Sequence, residues 1–261
     1  MARADQADDT TWRGRRVWIT GASSGIGHAV AVALAQRGAR LGVTARSAEA
    51  LATVVRDLDG TGHLALPADV TDPATLAACV NQQVEAWGGL DVAILNAGTH
   101  VPMRADAIDI AAARRLVDVN LMGTINAAAA TIPPFLAARR GHIAVVASVA
   151  GYIGLPKALV YGATKAALIN FTESLRLDLA GKRIKVQLIC PGFVATPLTS
   201  RNDFRMPALL AVDDAAERLV AGLSASRFEI HFPRRFTLAL KLLRLLPYPL
   251  AFRLIHRLTG L

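Results

Sequence analysis

Tyr161 and Lys165 stand four residues apart, with Ser148 thirteen positions upstream in a small-residue segment that follows a strand-like apolar run. On a helix an i, i+4 pair shares one face, so this spacing sets the Lys165 ammonium beside the Tyr161 phenol. A free phenol titrates near ~10 and is a poor acid or base at neutral pH, whereas a fixed positive charge alongside favours the phenolate and lowers that value. The pattern therefore points to proton transfer. Tyr-x-x-x-Lys also describes an aromatic stem packed under a solvated lysine, and its weight comes from a second pattern near the N-terminus.

That pattern is Val17-Trp-Ile-Thr-Gly-Ala-Ser-Ser-Gly-Ile-Gly27: an apolar run, a turn with glycines at 21, 25 and 27, then a helix-like stretch over 29–37 closed by Gly38. In the order strand, Gly-rich turn, helix, backbone N–H groups at the helix N-terminus can meet a pyrophosphate. Glycine suits the turn because its backbone angles are unusual and because a phosphate must approach without a Cβ in the way.

The elements needed to position these groups are legible as a repeating pattern. Strand-like runs recur at 16–20, 40–44, 63–66, 91–95, 142–147, 185–189 and 228–232, with helical patterns between most of them. Strands apolar on both sides and alternating with helices predict an α/β fold, a doubly wound parallel sheet of about seven strands with helices on both faces, whose ligand site lies beyond the strands' carboxyl ends. The 261 residues, 53% of them hydrophobic, suit one large domain. The pattern divides into a disordered lead-in over 1–11, the sheet domain over 12–232 and a helical extension over 233–261. Residues 1–11 are acidic and polar without an apolar core, so they do not read as a secretory signal. Two cysteines, Cys79 and Cys190, provide no disulfide framework and fit a reducing, cytoplasmic setting. The six histidines are scattered without metal-ligand spacing, and no metal is expected.

Seven segments in order resemble the short-chain dehydrogenase/reductase family over about residues 15–232: Thr20-Gly-Ala-Ser-Ser-Gly-Ile-Gly27, Ala68-Asp-Val70, Asn96-Ala-Gly98, Val119-Asn120, Ser148, Tyr161-x-x-x-Lys165 and Pro191-Gly-Phe-Val-Ala-Thr196. The resemblance implies a Rossmann fold and hydride transfer between a nicotinamide and a carbonyl or secondary alcohol. It also implies catalytic roles for four residues: Tyr161 exchanges the proton, Ser148 hydrogen-bonds the same oxygen, Lys165 bonds the nicotinamide ribose and depresses the tyrosine pKa, and Asn120 holds a relay water. Cofactor contacts carry over to Gly21, Ser23, Ser24, Gly25, Ile26 and Gly27, to Asp69 and Val70 at the adenine, to Asn96, Ala97 and Gly98, and to Tyr161 and Lys165 themselves. They carry over further to Pro191, Gly192, Val194 and Thr196. Leu95 stands where relatives often carry a first asparagine. At the end of the second strand, Ala45 replaces the acid of NAD-preferring relatives and Arg46 follows, a guanidinium suited to a 2′-phosphate, so NADP(H) is favoured. Ser24 departs from the basic residue that many NADP-preferring relatives carry in the turn. A dimer or tetramer is also implied, through 111–138 and the helix of Tyr161.

The segment 197–211 is rich in apolar residues, including Leu198, Phe204, Met206, Leu209 and Leu210; a lid over a hydrophobic, lipid-like ketone or alcohol is one reading, and a loop packed on its own protein is the other. Residues 227–261 contain seven Lys/Arg against Glu229 alone and contribute +6 of the chain's formal +9. In the helical pattern 236–246, Thr237, Lys241 and Arg244 share one face with leucines around the rest, and 250–258 does likewise with Arg253, His256 and Arg257; Pro247-Tyr-Pro249 separates the two. Neither is long enough to span a bilayer. A membrane surface contacted peripherally through residues 234–261 is one reading; leucine faces covering the cleft or a subunit interface are the other. Nucleic acid is disfavoured, because no stacking aromatics or reader motif interleave with the charge. The functional reading is an NADP(H)-dependent oxidoreductase of a hydrophobic carbonyl compound. A soluble reductase of small ketones or 3-oxoacyl thioesters and a non-catalytic dinucleotide sensor are the alternatives.

Overall fold

The computed structural model describes residues 11–259; the lead-in expected over 1–11 falls, except for Thr11, outside the described residues. Strands β1 (Arg16–Thr20), β2 (Arg40–Thr44), β3 (Leu64–Ala65), β4 (Val92–Leu95), β5 (Gly141–Val146), β6 (Ile184–Pro191) and β7 (Glu229–Phe232) form one parallel sheet in the order β3-β2-β1-β4-β5-β6-β7. The order reverses between β1 and β4, the switch point where such sheets open a crevice. Thr20 pairs in register with both Thr44 and Leu95, so three strand ends meet at one level there.

Successive strand residues point to opposite faces, and both faces are covered. In β1, Val17 and Ile19 join the core beneath α1 (Gly25–Gln36), α2 (Ala48–Asp57) and α7 (Val212–Ser224), with Leu34, Leu51 and Leu219. Trp18 points the other way, into the core beneath α3 (Pro73–Trp87), α5 (Gly123–Ala138) and α6 (Leu159–Asp178), with Leu76, Phe135 and Leu168. Its indole Nε1–H donates to Thr44 Oγ1 at 2.8 Å, which removes the cost of burying a polar atom. The alanines at 29, 31, 33 and 35 are all buried, letting α1 lie close to the sheet directly after the Gly-rich turn.

Two helix starts follow from local chemistry. Ser47 caps α2, its Oγ accepting from Ala50 N at 3.1 Å. Asp72 caps α3, with Pro73 in the first turn. β3 is shorter than the run 63–66 implies, because the His63 ring, not a strand carbonyl, accepts the Leu41 N–H at 3.1 Å.

Helix α4 (Ile110–Leu116) runs into α5 through a π-helical turn, Val117–Met122, which carries Asn120. The combined helix, Ile110–Ala138, is long and apolar enough by length and composition to cross a membrane, and it buries the polar Asn120, Thr124 and Thr131 inside the protein. After β7 come α8 (Arg234–Leu245) and α9 (Tyr248–Thr259), so Tyr248 and Pro249 open the second helix where the sequence suggests a linker. Leu240, Ala251 and Ile255 pack on Val149 and Ile153 in a third core. α8 buries polar residues beside apolar ones: Leu240 packs inward with Phe236 and Leu243, and Thr237 and Lys241 face β7. Thr237 shares a 2.6 Å hydrogen bond with His231 Nδ1, and Lys241 pairs with Glu229, which also accepts from the Tyr152 hydroxyl.

Candidate active site

The Gly-rich turn is held from β4. Thr20 Oγ1 accepts the N–H of Asn96 at 3.0 Å and of Ala97 at 3.1 Å, while Asn96 Nδ2 donates to the carbonyls of Thr20 and Gly21, each at 3.1 Å. The Asn96 side chain is thus a latch on the turn. Gly21 has φ of +69° and a Cβ there would lie 2.7 Å from Ala97 Cα; a Cβ on Gly27 would lie 2.3 Å from Gly21 O. Both positions admit glycine alone, and the turn keeps a backbone surface with no side chain over it.

A cleft of about 700 Å³ opens beyond the strand ends. It is lined by Gly21, Ser23, Ser24, Gly25 and Ile26, by Arg46, Asp69 and Val70, and by Asn96, Ala97 and Gly98. Ser148, Tyr161 and Lys165 line it too, as do Pro191, Gly192, Val194 and Thr196. Gly27 and Asn120 do not line it; Gly27 lies beneath the turn, and Asn120 is fully buried. The Asn120 amide is committed on both sides: Oδ1 accepts from Thr99 N at 2.7 Å, and Nδ2 donates to Thr99 O and to Thr164 Oγ1 at 3.0 and 3.2 Å. This ties the loop after β4 to α6. A Cβ on Gly98 would be in ordinary contact with Asn120 Oδ1 at 3.4 Å and Lys165 Nζ at 3.6 Å, so both groups border that glycine.

Ser148 lies two residues beyond β5 and caps a 3-10 turn, Val149–Gly151, with its Oγ accepting from Ala150 N at 3.1 Å. The third and seventh residues of α6, Tyr161 and Lys165, face the same way; Lys165 Nζ stands 5.8 Å from the phenol centroid and donates to Val146 O at 3.0 Å. Burial pushes the Tyr161 phenol up, against the lowering pull of the Ser148 hydrogen bond. The lowering expected from Lys165 is not what sets the phenol here: loss of hydration is the largest influence, and the opposing pull comes from Ser148. Burial also brings the Lys165 ammonium down to about 8.

At the opposite end, Arg46 is exposed beside the half-buried Ala45, just before Ser47 caps α2. Asp69 is held low first by the Thr71 N–H, which its Oδ1 accepts at 2.9 Å together with the Thr71 hydroxyl at 2.8 Å; Arg46 and Arg115 add attraction. One Asp69 oxygen thus closes the turn into α3. Arg115 was not singled out from sequence. Its only signal there is the Arg114-Arg115 pair, and its arrival at the cleft depends on how α4 docks. Among the described residues no group of three His, Cys, Asp or Glu comes together to hold a metal.

A family model described as short chain dehydrogenase matches residues 15–205. The chain belongs to that family. An uncharacterized oxidoreductase of Myxococcus xanthus is 36% identical over 239 residues, covering 90% of this chain and 94% of that protein. Another, from Staphylococcus epidermidis, is 34% identical over 206 residues, covering 79% and 89%. The crystal structure of a short-chain type dehydrogenase/reductase from Mycobacterium marinum superposes with a TM-score of 0.77 at 26% identity, covering 84% of this chain and 94% of that one. The chain is accordingly an oxidoreductase of a family that uses nicotinamide cofactors, and the glycine cradle and the exposed backbone of the turn fit such a dinucleotide.

A smaller, mainly apolar pocket of about 130 Å³ adjoins the family's serine and tyrosine, lined by Val149, Leu155, Phe193, Leu198 and Phe204. Phe193 stands edge-on to Phe204 at 5.7 Å and 5.8 Å from Phe236 of α8, so the extension reaches the pocket wall. His100, also missed in the sequence, packs edge-on against the Tyr161 ring at 4.6 Å between centroids, with Nε2 3.2 Å from Asn202 Oδ1.

Proposed function

We propose that the chain is an NADP(H)-dependent reductase of a carbonyl group on a hydrophobic, lipid-like molecule. The observation that carries this is the meeting of Ser148, Tyr161 and Lys165 at the end of the cleft where the Phe193–Phe204 pocket opens. NADP(H) is supported by Ala45 followed by an exposed Arg46, which offers a guanidinium and no carboxylate at the strand end.

When bound, the nicotinamide supplies the hydride. The chain's own residues do the rest. Ser148 and Tyr161 hydrogen-bond the carbonyl oxygen and orient it. As negative charge develops there, Tyr161 donates its proton, and the Ser148 hydroxyl continues to stabilise the oxygen. Lys165, charged below about 8, keeps the phenol side of the cleft positive. Asn120 fixes the Thr99 loop and, with Lys165, borders Gly98; a water bridging the asparagine and the lysine would return a proton from solvent. The apolar pocket excludes water and binds the substrate's hydrocarbon part, which favours long or bulky ketones. A dimer through the α4–α5 and α6 surfaces belongs to the same proposal; Val117 and Met122 are exposed there.

NADPH and NADH oxidation assayed against ketones of increasing chain length tests the reading. Higher kcat/KM with NADPH, and a rise with chain length, supports it. Equal rates on short ketones or better turnover of 3-oxoacyl thioesters favours the small-substrate alternative. Tight dinucleotide binding without turnover on any of them favours a sensor.

A further inference from the structure

The outward face of α8 is apolar although the helix is short and lies on the surface. Leu238, Leu242 and Leu245 are 49%, 63% and 79% exposed. Their i, i+4, i+7 spacing makes one stripe along about 10 Å of helix. The inward side holds Leu240, Phe236 and Leu243 together with Thr237 and Lys241, the last two bonded to His231 and Glu229. At the start of α9, Tyr248 and Phe252 are also exposed, their rings 5.4 Å apart. Leu250 adds a further exposed apolar side chain.

The charge around this face has one sign. No Asp or Glu follows Glu229 in the sequence. Arg234, Arg235, Arg244, Arg253 and Arg257 are all exposed, and among the described residues the ion pair in this stretch is Lys241 with Glu229. A two-fold contact between copies through this face would set arginines against arginines. An anionic lipid surface is complementary to both features: its headgroups take the guanidiniums, and its acyl boundary takes the leucines and aromatic rings. Twelve residues of helix span about 18 Å, short of the ~30 Å hydrocarbon layer, so α8 fits flat in the interface. The inner side of the same helix puts Phe236 against Phe193 of the apolar pocket, one helix thickness away.

We infer that α8 and the start of α9 form a docking surface for an anionic lipid bilayer. This goes beyond the catalytic reading, and its test needs no turnover: vesicle binding and NADPH binding are read separately on the full chain. Co-sedimentation with phosphatidylglycerol–phosphatidylcholine vesicles is expected to pull down the protein, phosphatidylcholine alone to leave it in solution, and high salt to release it. The variant Leu238→Gln/Leu242→Gln/Leu245→Gln, which changes exposed side chains only, is expected to lower partitioning roughly tenfold or more with NADPH affinity and melting temperature preserved. Arg253→Gln/Arg257→Gln is expected to weaken binding to the anionic vesicles. Absence of vesicle binding by the wild type, equal binding by the triple leucine variant, or a dimer in light scattering that this variant dissociates would overturn the inference.

Discussion

Tyr161 and Lys165 are adjacent through helix geometry, but their protonation is set by burial. With the phenol raised and the ammonium lowered to about 8, the tyrosine carries its proton and the lysine its charge at neutral pH. As pH rises through about 8, Lys165 loses its charge before Tyr161 loses its proton. Carbonyl reduction is therefore expected to fall on the alkaline side with an apparent pKa near 8, and Lys165→Arg to carry that limb upward in any residual activity; a rate flat from neutral to strongly alkaline pH would contradict this. The residue pattern was legible in the sequence because turn chemistry and i, i+4 spacing are local. The direction of the Tyr161 shift was not, since it depends on what surrounds the ring after folding. Arg115 and His100 were hidden for the same reason: each reaches the site through the docking of α4 or of the loop after β4.

At the scale of elements, the seven strands fell close to the apolar runs that announced them, because a strand buried on both faces needs a continuous apolar stretch. The shortening of β3 was not legible, as it turns on one imidazole taking a ladder bond. Nor was the rotation of α8. Helical spacing put Thr237, Lys241 and Arg244 on one face with leucines around the rest, and only β7, with His231 and Glu229, decides that Thr237 and Lys241 face inward. Glu229 is the shared anchor, accepting from Tyr152 beside the turn that Ser148 caps and pairing with Lys241. Lys241→Met keeps the stem but leaves the half-buried carboxylate with Tyr152 as its partner. A loss of about 1 kcal/mol is expected, discounted for partial exposure, which lowers the melting temperature by roughly 2–4 °C in a protein of this size. An unchanged melting temperature would show that α8 is held by Leu240 and its apolar neighbours alone.

Across the whole molecule, the sheet order and the switch point between β1 and β4 bring groups from residue 21 to residue 196 to one crevice. That convergence was legible from the alternation of strand and helix; how the two terminal helices sit on it was not. The packed sheet also sets acid sensitivity. His142, buried in β5, is held down to about 3 first by loss of hydration and then by Lys185. The unfolded chain takes up that proton near its ordinary value of 6.5 while the folded chain resists it, so stability is lost as pH falls from about 6.5 toward 3. Urea midpoints measured at neutral pH and in mild acid are expected to drop for the wild type and to drop less for His142→Leu, whereas equal drops would place the acid sensitivity elsewhere. The proton path from Tyr161 is tested most directly by rapid-mixing single-turnover NADPH oxidation on a long-chain methyl ketone, wild type against Tyr161→Phe. The rate is expected to fall roughly 10²–10⁴-fold in the variant with NADPH affinity unchanged; equal rates in the two proteins would contradict a proton-donating role for this tyrosine.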